Sequence, residues 1–213
     1  MANMSANPEL LAGWLKGWAL AHDAPLPTAC GAGWHVNVGL PNQKARYVFA
    51  EPDPDFWRLA ETISEPLIYL KVCAPHDRIK HLFPERWTTE HRGFIMTHDD
   101  IPPQMRQLPD VYSRVINERP YGLTCKIYAE DGAEAASGNL VLADGVAVYD
   151  HIHTEESHRR KGLASVVMAT LQNAAHEMGR RRDVLCASHA GLRLYETLGW
   201  QIHSFYTSAM IEA

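Results

Sequence analysis

The spacing of apolar residues changes several times along the chain, and each change marks an element. Leu11, Trp14, Leu15 and Trp18 share one helical face behind Asn7-Pro8-Glu9, which reads as N-cap, first helical position and first-turn acid; the stretch 23–27 ends that helix. Its two tryptophans could rest on a membrane surface, but Lys16 is the only cation of the polar face, so packing onto the domain is the preferred reading. Residues 34–39 and 45–49 alternate like the arms of a β-hairpin turning over 40–44. Phe56, Leu59, Ala60 and Ile63 return to helical spacing. The apolar run 67–73 has strand length, 76–83 predicts a short helix stopped by Pro84, and 93–97 a further strand. The first half thus alternates β, α, β, α, β. The stretch 99–109, rich in proline, reads as a linker.

In the second half, 110–118 is expected to be helical. Strands at 121–128, 135–142 and 146–154 form an antiparallel meander with turns at Asp131-Gly132 and Asp144-Gly145. Leu163, Val166, Val167, Leu171, Ala174 and Met178 then follow the i, i+3, i+4 pattern up to Gly179. A strand at 183–187, an amphipathic helix with Leu192, Tyr195 and Leu198 closed by Gly199, and a last strand or hairpin over 202–211 complete the chain.

The chemistry concentrates in Arg159-Arg160-Lys161-Gly162-Leu163-Ala164, where the strand 146–154 passes into the helix 163–178. A helix start leaves backbone N–H groups unpaired at the positive end of the dipole, a site for an anion such as a pyrophosphate. Gly162 lets the backbone approach the ligand, small Ala164 keeps the first turn open, and three cationic side chains add charge. No glycine-bearing basic turn follows a strand of the first half, and no G-x-x-x-x-G-K-[ST] occurs, which disfavours a P-loop protein.

This run resembles the R/Q-x-x-G-x-G/A motif of the GCN5-related N-acetyltransferases (GNAT), and Leu194-Tyr195-Glu196-Thr197-Leu198-Gly199-Trp200 is similar to the family's L-Y-x-x-L-G-F segment, with Trp200 in place of Phe. The resemblance covers roughly residues 120–213. It implies an α/β (α+β) GNAT fold, a mixed, mostly antiparallel sheet flanked by helices. The division implied is a GNAT-like or accessory half without the motif (1–107) and an acetyltransferase half (108–213); the alternative is one enlarged GNAT fold to which the first half supplies early strands.

The resemblance further implies acetyl-CoA as acyl donor, with its pantetheine arm on the backbone of Ile152, His153 and Thr154 and its pyrophosphate on Arg159, Arg160, Lys161, Gly162, Leu163 and Ala164. Tyr195 matches the family's tyrosine near the sulfur and becomes the candidate general acid. Ser188 stands where the family often has an asparagine contacting the cofactor arm; it reaches less far. Three bases compete: Asp150, which would need burial to raise its pKa; His151 or His153, which alternation places on the face opposite Asp150; and water alone. The acceptor is an amine of a small molecule or protein. Acids at 150, 155 and 156 would suit a cation; the alternative is that they simply face water. The rival class is a non-catalytic acyl-CoA-binding module.

Composition narrows this little further. A chain of 213 residues with 46% hydrophobic content can bury a sizeable core, and a formal charge of −5 argues against a general nucleic-acid binder. The four cysteines have neither zinc-finger nor disulfide-framework spacing, and the histidines lack a zinc-like ligand set, so no metal is expected. No apolar run of about 18 residues and no secretory pattern appears, which points to a cytoplasmic protein. Monomer and homodimer both stay open.

Overall fold

The computed structural model describes residues 5–98, 106–179 and 182–213. Part of the expected linker, 99–105, lies outside the described residues. In chain order the elements are α1 (Pro8–Ala21), β1 (Thr28–Cys30), β2 (Gly33–Leu40), β3 (Gln43–Phe49), α2 (Pro54–Thr62), β4 (Ile68–Val72), α3 (His76–Ile79), β5 (Thr88–His98), β6 (Tyr112–Arg119), β7 (Gly122–Ala129), β8 (Glu134–Ala143), β9 (Val146–Thr154), α4 (Leu163–Glu177), β10 (Asp183–Ala187), α5 (His189–Thr197) and β11 (Gln201–Met210).

Helix starts follow their local chemistry. Asn7 caps α1 by accepting the Leu10 N–H at 3.0 Å, and Pro8 occupies the first turn, where no N–H is needed. Leu11 and Leu15 are fully buried and Trp14 and Trp18 nearly so, which places the apolar face of α1 on the protein rather than on a lipid surface.

One expectation fails. Residues 110–118 form no helix: β6 pairs with β7 from Tyr112↔Ala129 to Arg119↔Gly122, joined by Pro120-Tyr121. Val111, Val115 and Ile116 are β-branched and exposed, so a helix here would have no face to bury, whereas an edge strand needs only backbone partners.

The eleven described strands form one sheet in the order β1-β2-β3-β4-β11-β5-β10-β9-β8-β7-β6, antiparallel except for the β3/β4 and β9/β10 pairs. At its centre the two halves exchange their last strands. β5, from the first half, lies between β10 and β11; β11, from the second, lies between β4 and β5. The boundary at 107/108 therefore falls in the β5–β6 connection, and each side of it relies on the other to complete its sheet. His98, at the end of β5, is buried with its Nδ1 3.6 Å from Oδ2 of the fully buried Asp183 on β10.

Two layers of helix cover the second half's strands. Ala147 and Tyr149 of β9 pack beneath α4 and α5 with Val167, Leu171 and Tyr195. Val146 and Val148 point to the other face, beneath α1. A Cβ on Gly13 would meet Val146 Cγ2 at 2.7 Å, and one on Gly17 would collide with Val148, so two glycines let a first-half helix lie close on a second-half strand. A third core gathers Phe49, Phe56, Leu70 and Trp87 around α2.

Candidate active site

β9 and β10 part company where the site begins. Their parallel pairing runs through Ala147, Val148 and Tyr149 against Asp183, Val184 and Leu185, and stops there. Beyond it β9 keeps its β8 partners, His153 with Ser137 and Thr154 with Ala136, but the edge of Ile152, His153 and Thr154 that faces β10 is left without a ladder. Backbone donors and acceptors on such an edge are available to an extended ligand.

The strand is also bulged. Between the Asn139↔Asp150 and Ser137↔His153 pairs, β9 spends one residue more than β8, and His151 takes φ +51. Alternation consequently breaks, and the expectation that His151 lies opposite Asp150 is corrected. Ile152 points under α4, near enough that a Cβ on Gly138 would meet its Cδ1 at 2.5 Å. Asp150 and His151 both turn to the α1 side: His151 Nδ1 is 3.1 Å from Asp150 Oδ2. His153 faces Glu155 instead, 3.3 Å from Nε2 to Oε1, so His151 and His153 do not form half of one metal site.

At the far end of β9, α4 begins at Gly162 with φ +80 and no side-chain cap. Arg160 is also left-handed, at φ +62, and a Cβ on Gly162 would meet nothing within 4 Å. The backbone thus leaves an uncapped helix start open to solvent, with Arg159, Arg160 and Lys161 exposed around it. Leu163 is buried and offers only its backbone, whereas Ala164 is half-buried. Arg159 Nε donates to the Thr154 carbonyl at 3.3 Å, tying the loop to the strand, and Thr154 Oγ1 is buried without a partner among the described residues. These residues fit a diphosphate followed by an extended amide-bearing arm.

Tyr195 stands beside the gap. It is 8% exposed, packs edge-on against Trp200, and Trp200 in turn packs against Tyr149, the last paired residue of β9. Burial, with the nearby Cys186 and Asp150, pushes its phenol up to about 12, so it stays protonated. Ser188 caps α5, its Oγ accepting the Gly191 N–H at 3.2 Å; its own O–H proton is what it can still offer a ligand.

On the opposite face Asp150 has two histidine neighbours. His22, which caps the end of α1, places Nδ1 3.4 Å from Asp150 Oδ2 and 2.8 Å from the Trp18 carbonyl. Its ring lies 4.6 Å from that of His151. Burial would raise the Asp150 pKa, but the close His151 ring and the charges of both histidines prevail and hold it below its ordinary value. Burial holds His22 below 6.5 against the pull of Asp150, while Asp150 raises His151. With Nδ1 turned to two acceptors, His22 carries its proton there and keeps Nε2 as a base. The three residues also offer ligand atoms within 4.8 Å of one another, a geometry that could hold a metal ion. A cleft of about 400 Å³ opens on this face, with Asp150, Cys186 and Ser188 in its wall.

A family model described as "Acetyltransferase (GNAT) family" matches residues 79–200. The chain belongs to the GNAT family. The match starts ahead of β5, so this GNAT region includes the strand that the first half contributes. Solved structures agree in fold over nearly the whole chain. A GCN5-related N-acetyltransferase from Kribbella flavida is 18% identical, covers 98% of this chain and 96% of its own, and has a TM-score of 0.71. One from Sphaerobacter thermophilus is 10% identical over 98% and 95%, with a TM-score of 0.61. A tandem GNAT protein from the clavulanic acid biosynthesis pathway is 13% identical over 100% and 98%, with a TM-score of 0.54. A search of curated protein sequences finds no match. Among the described residues no helix of this GNAT protein is long and apolar enough to cross a membrane.

Sequence reasoning missed His22. It is remote from Asp150 in the chain, and its only local signal was a polar ring one turn after Trp18, at the end of an amphipathic helix.

Proposed function

We propose that this protein transfers an acetyl group from acetyl-CoA to a primary amine by direct attack on the thioester. One observation carries the reading: an uncapped, open helix start at Gly162 lies at the end of a strand whose edge is released from β10 just past Tyr149. The cradle and Tyr195 lie on the α4/α5 face, Asp150 and the cleft on the α1 face, and the parting of β9 from β10 lies between the two.

Arg159, Arg160, Lys161 and the backbone of Gly162, Leu163 and Ala164 hold the diphosphate; the free edge of Ile152, His153 and Thr154 aligns the pantetheine arm. Acetyl-CoA supplies the activated acetyl group: the amine nitrogen bonds to the thioester carbon, the carbon–sulfur bond breaks, and N-acetyl product and CoA leave. Asp150, held anionic, draws the incoming ammonium to the mouth of the gap. His22, neutral near pH 7, takes the ammonium proton on Nε2 through a water. A backbone N–H of the free β9 edge polarises the carbonyl. Tyr195, at about 12, donates its hydrogen bond to the departing sulfur.

The test is a thermal shift with acetyl-CoA followed by assay of CoA release across an amine panel. At about 100 times its Kd a ligand adds about 2.7 kcal/mol of stability. Stabilisation by acetyl-CoA with amine-dependent CoA release is expected; no stabilisation at saturating donor would overturn the reading.

A further inference from the structure

Resting on the transferase reading above, we propose that the acceptor is an amine that also carries an anionic group, of the amino-acid class, and that Arg46 and Gln43 bind that group with help from Lys71. All three come from the half of the chain without the phosphate cradle, and all three line the same cleft as Asp150.

Arg46, on β3, is 9% exposed. Its guanidinium carbon sits over the Trp18 ring, 3.4 Å from the centroid, and Nη2 donates to Gln43 Oε1 at 2.9 Å. Its Nε is buried and makes no hydrogen bond, and neither does Gln43 Nε2. No carboxylate among the described residues forms an ion pair with Arg46. A buried cation with an idle donor, compensated only at a distance by the charge of Asp150, carries a desolvation cost that packing on a tryptophan only partly offsets. An anion entering the cleft would satisfy Nε and the Gln43 amide together, and the stacking on Trp18 holds the fork rigid for it.

Lys71, on the neighbouring strand β4, is 5% exposed. Its Nζ donates to Ser208 Oγ at 3.0 Å and lies 5.0 Å from the Tyr69 ring centroid and 5.7 Å from that of Tyr206. It adds a second positive charge to the same wall. Asp150 supplies the opposite charge at the gap. A molecule with an anion at one end and an ammonium at the other would be oriented with its nitrogen toward the thioester, and Trp14, Tyr69 and Tyr206 would enclose the carbon skeleton between. The cleft, at about 400 Å³, has the size for such a molecule. The pyrophosphate cradle lies on the other face of the sheet, so these cations are not part of it.

The experiment titrates the CoA-loaded protein with matched pairs by calorimetry: each standard amino acid against its decarboxylated amine, and O-phosphoethanolamine against ethanolamine. The expected result is that an anionic member binds about 100-fold more tightly than its partner. The pair that shows the difference tells carboxylate from phosphate. Arg46→Met should reduce the preference at least tenfold and leave stabilisation by acetyl-CoA unchanged; Arg46→Lys should retain part of it. Equal binding within every pair, no binding by any anionic member at millimolar concentration, or an undiminished preference in both variants would overturn the proposal. CoA release is read separately: an anion preference without turnover leaves the anion site standing and removes the transferase reading.

Discussion

The same succession of elements occurs twice in this chain: β3, α2, β4, α3, β5 in the first half and β9, α4, β10, α5, β11 in the second. In each, a strand leads into a helix and the helix returns to a parallel neighbour. The difference lies in the crossing. α2 starts on Asp53, whose Oδ1 accepts the Phe56 N–H at 2.8 Å, with Pro54 lacking an N–H and Asp55 adding a negative charge. α4 starts on Gly162, left-handed and uncapped, among cations. β3 stays paired with β4 over five residues, from Ala45↔Ile68 to Phe49↔Val72, whereas β9 leaves β10 after three. One helix start is satisfied internally and repels anions; the other is left open to them. One strand pair is closed; the other leaves a slot. The half without the slot instead places Arg46 and Lys71 in the wall of the cleft, so in the proposed reaction the two halves would hold opposite ends of the acceptor and donor.

The sharpest way to break this comparison is to give α4 what α2 has. Ala164→Asp sets a carboxylate in the first turn of α4, where it should stabilise the helix by about 0.5 kcal/mol and weaken acetyl-CoA binding on the order of 100-fold. Calorimetry showing unchanged affinity would mean the open helix start is not the cradle. Tyr195→Phe should lower kcat roughly 100-fold and leave acetyl-CoA affinity within about twofold, because the hydroxyl acts on the departing sulfur rather than on the bound donor; equal turnover removes that role.

His22→Gln is expected to lower kcat/KM about tenfold at neutral pH and to abolish its acid limb. In the wild type that limb lies below 6.5, since burial lowers the His22 pKa. The same shift has a stability consequence. A histidine whose folded pKa is depressed is protonated more readily in the unfolded chain, so its contribution is lost as pH falls below 6.5; His151, raised by Asp150, contributes below 6.5 and loses that contribution as pH rises through its folded value. Denaturation of His22→Gln across this range should lack the first dependence and keep the second. The smallest effect belongs to the closed helix start. Asp53→Ala should cost about 1 kcal/mol in chemical denaturation and leave acetyl-CoA affinity unchanged.

Much of this was legible in the chain. Asn7-Pro8, Gly179 and Gly199 punctuate helices where their chemistry requires, and Arg159 to Ala164 marked the strand-to-helix turn. The mistaken helix at 110–118 shows the limit of periodicity: Val111, Val115 and Ile116 have helical spacing, but they bury nothing, and β6 is held by backbone bonds to β7 that no side-chain period reports. Alternation failed at His151 for a related reason. A bulge inserts one residue on one strand, and only its partner across the sheet, Gly138 in β8, reveals it.

By itself, then, the sequence determined where the capped helices start, where glycines close them and which turn leaves its amides open, because those outcomes depend on neighbours a few residues apart. The tertiary structure decided the rest: the exchange of β5 and β11, the meeting of His22 with Asp150 and His151, and the placing of Arg46 beside the same cleft. Strand pairing and charge proximity act through space, between residues that may stand anywhere along the chain, so no local pattern encodes them.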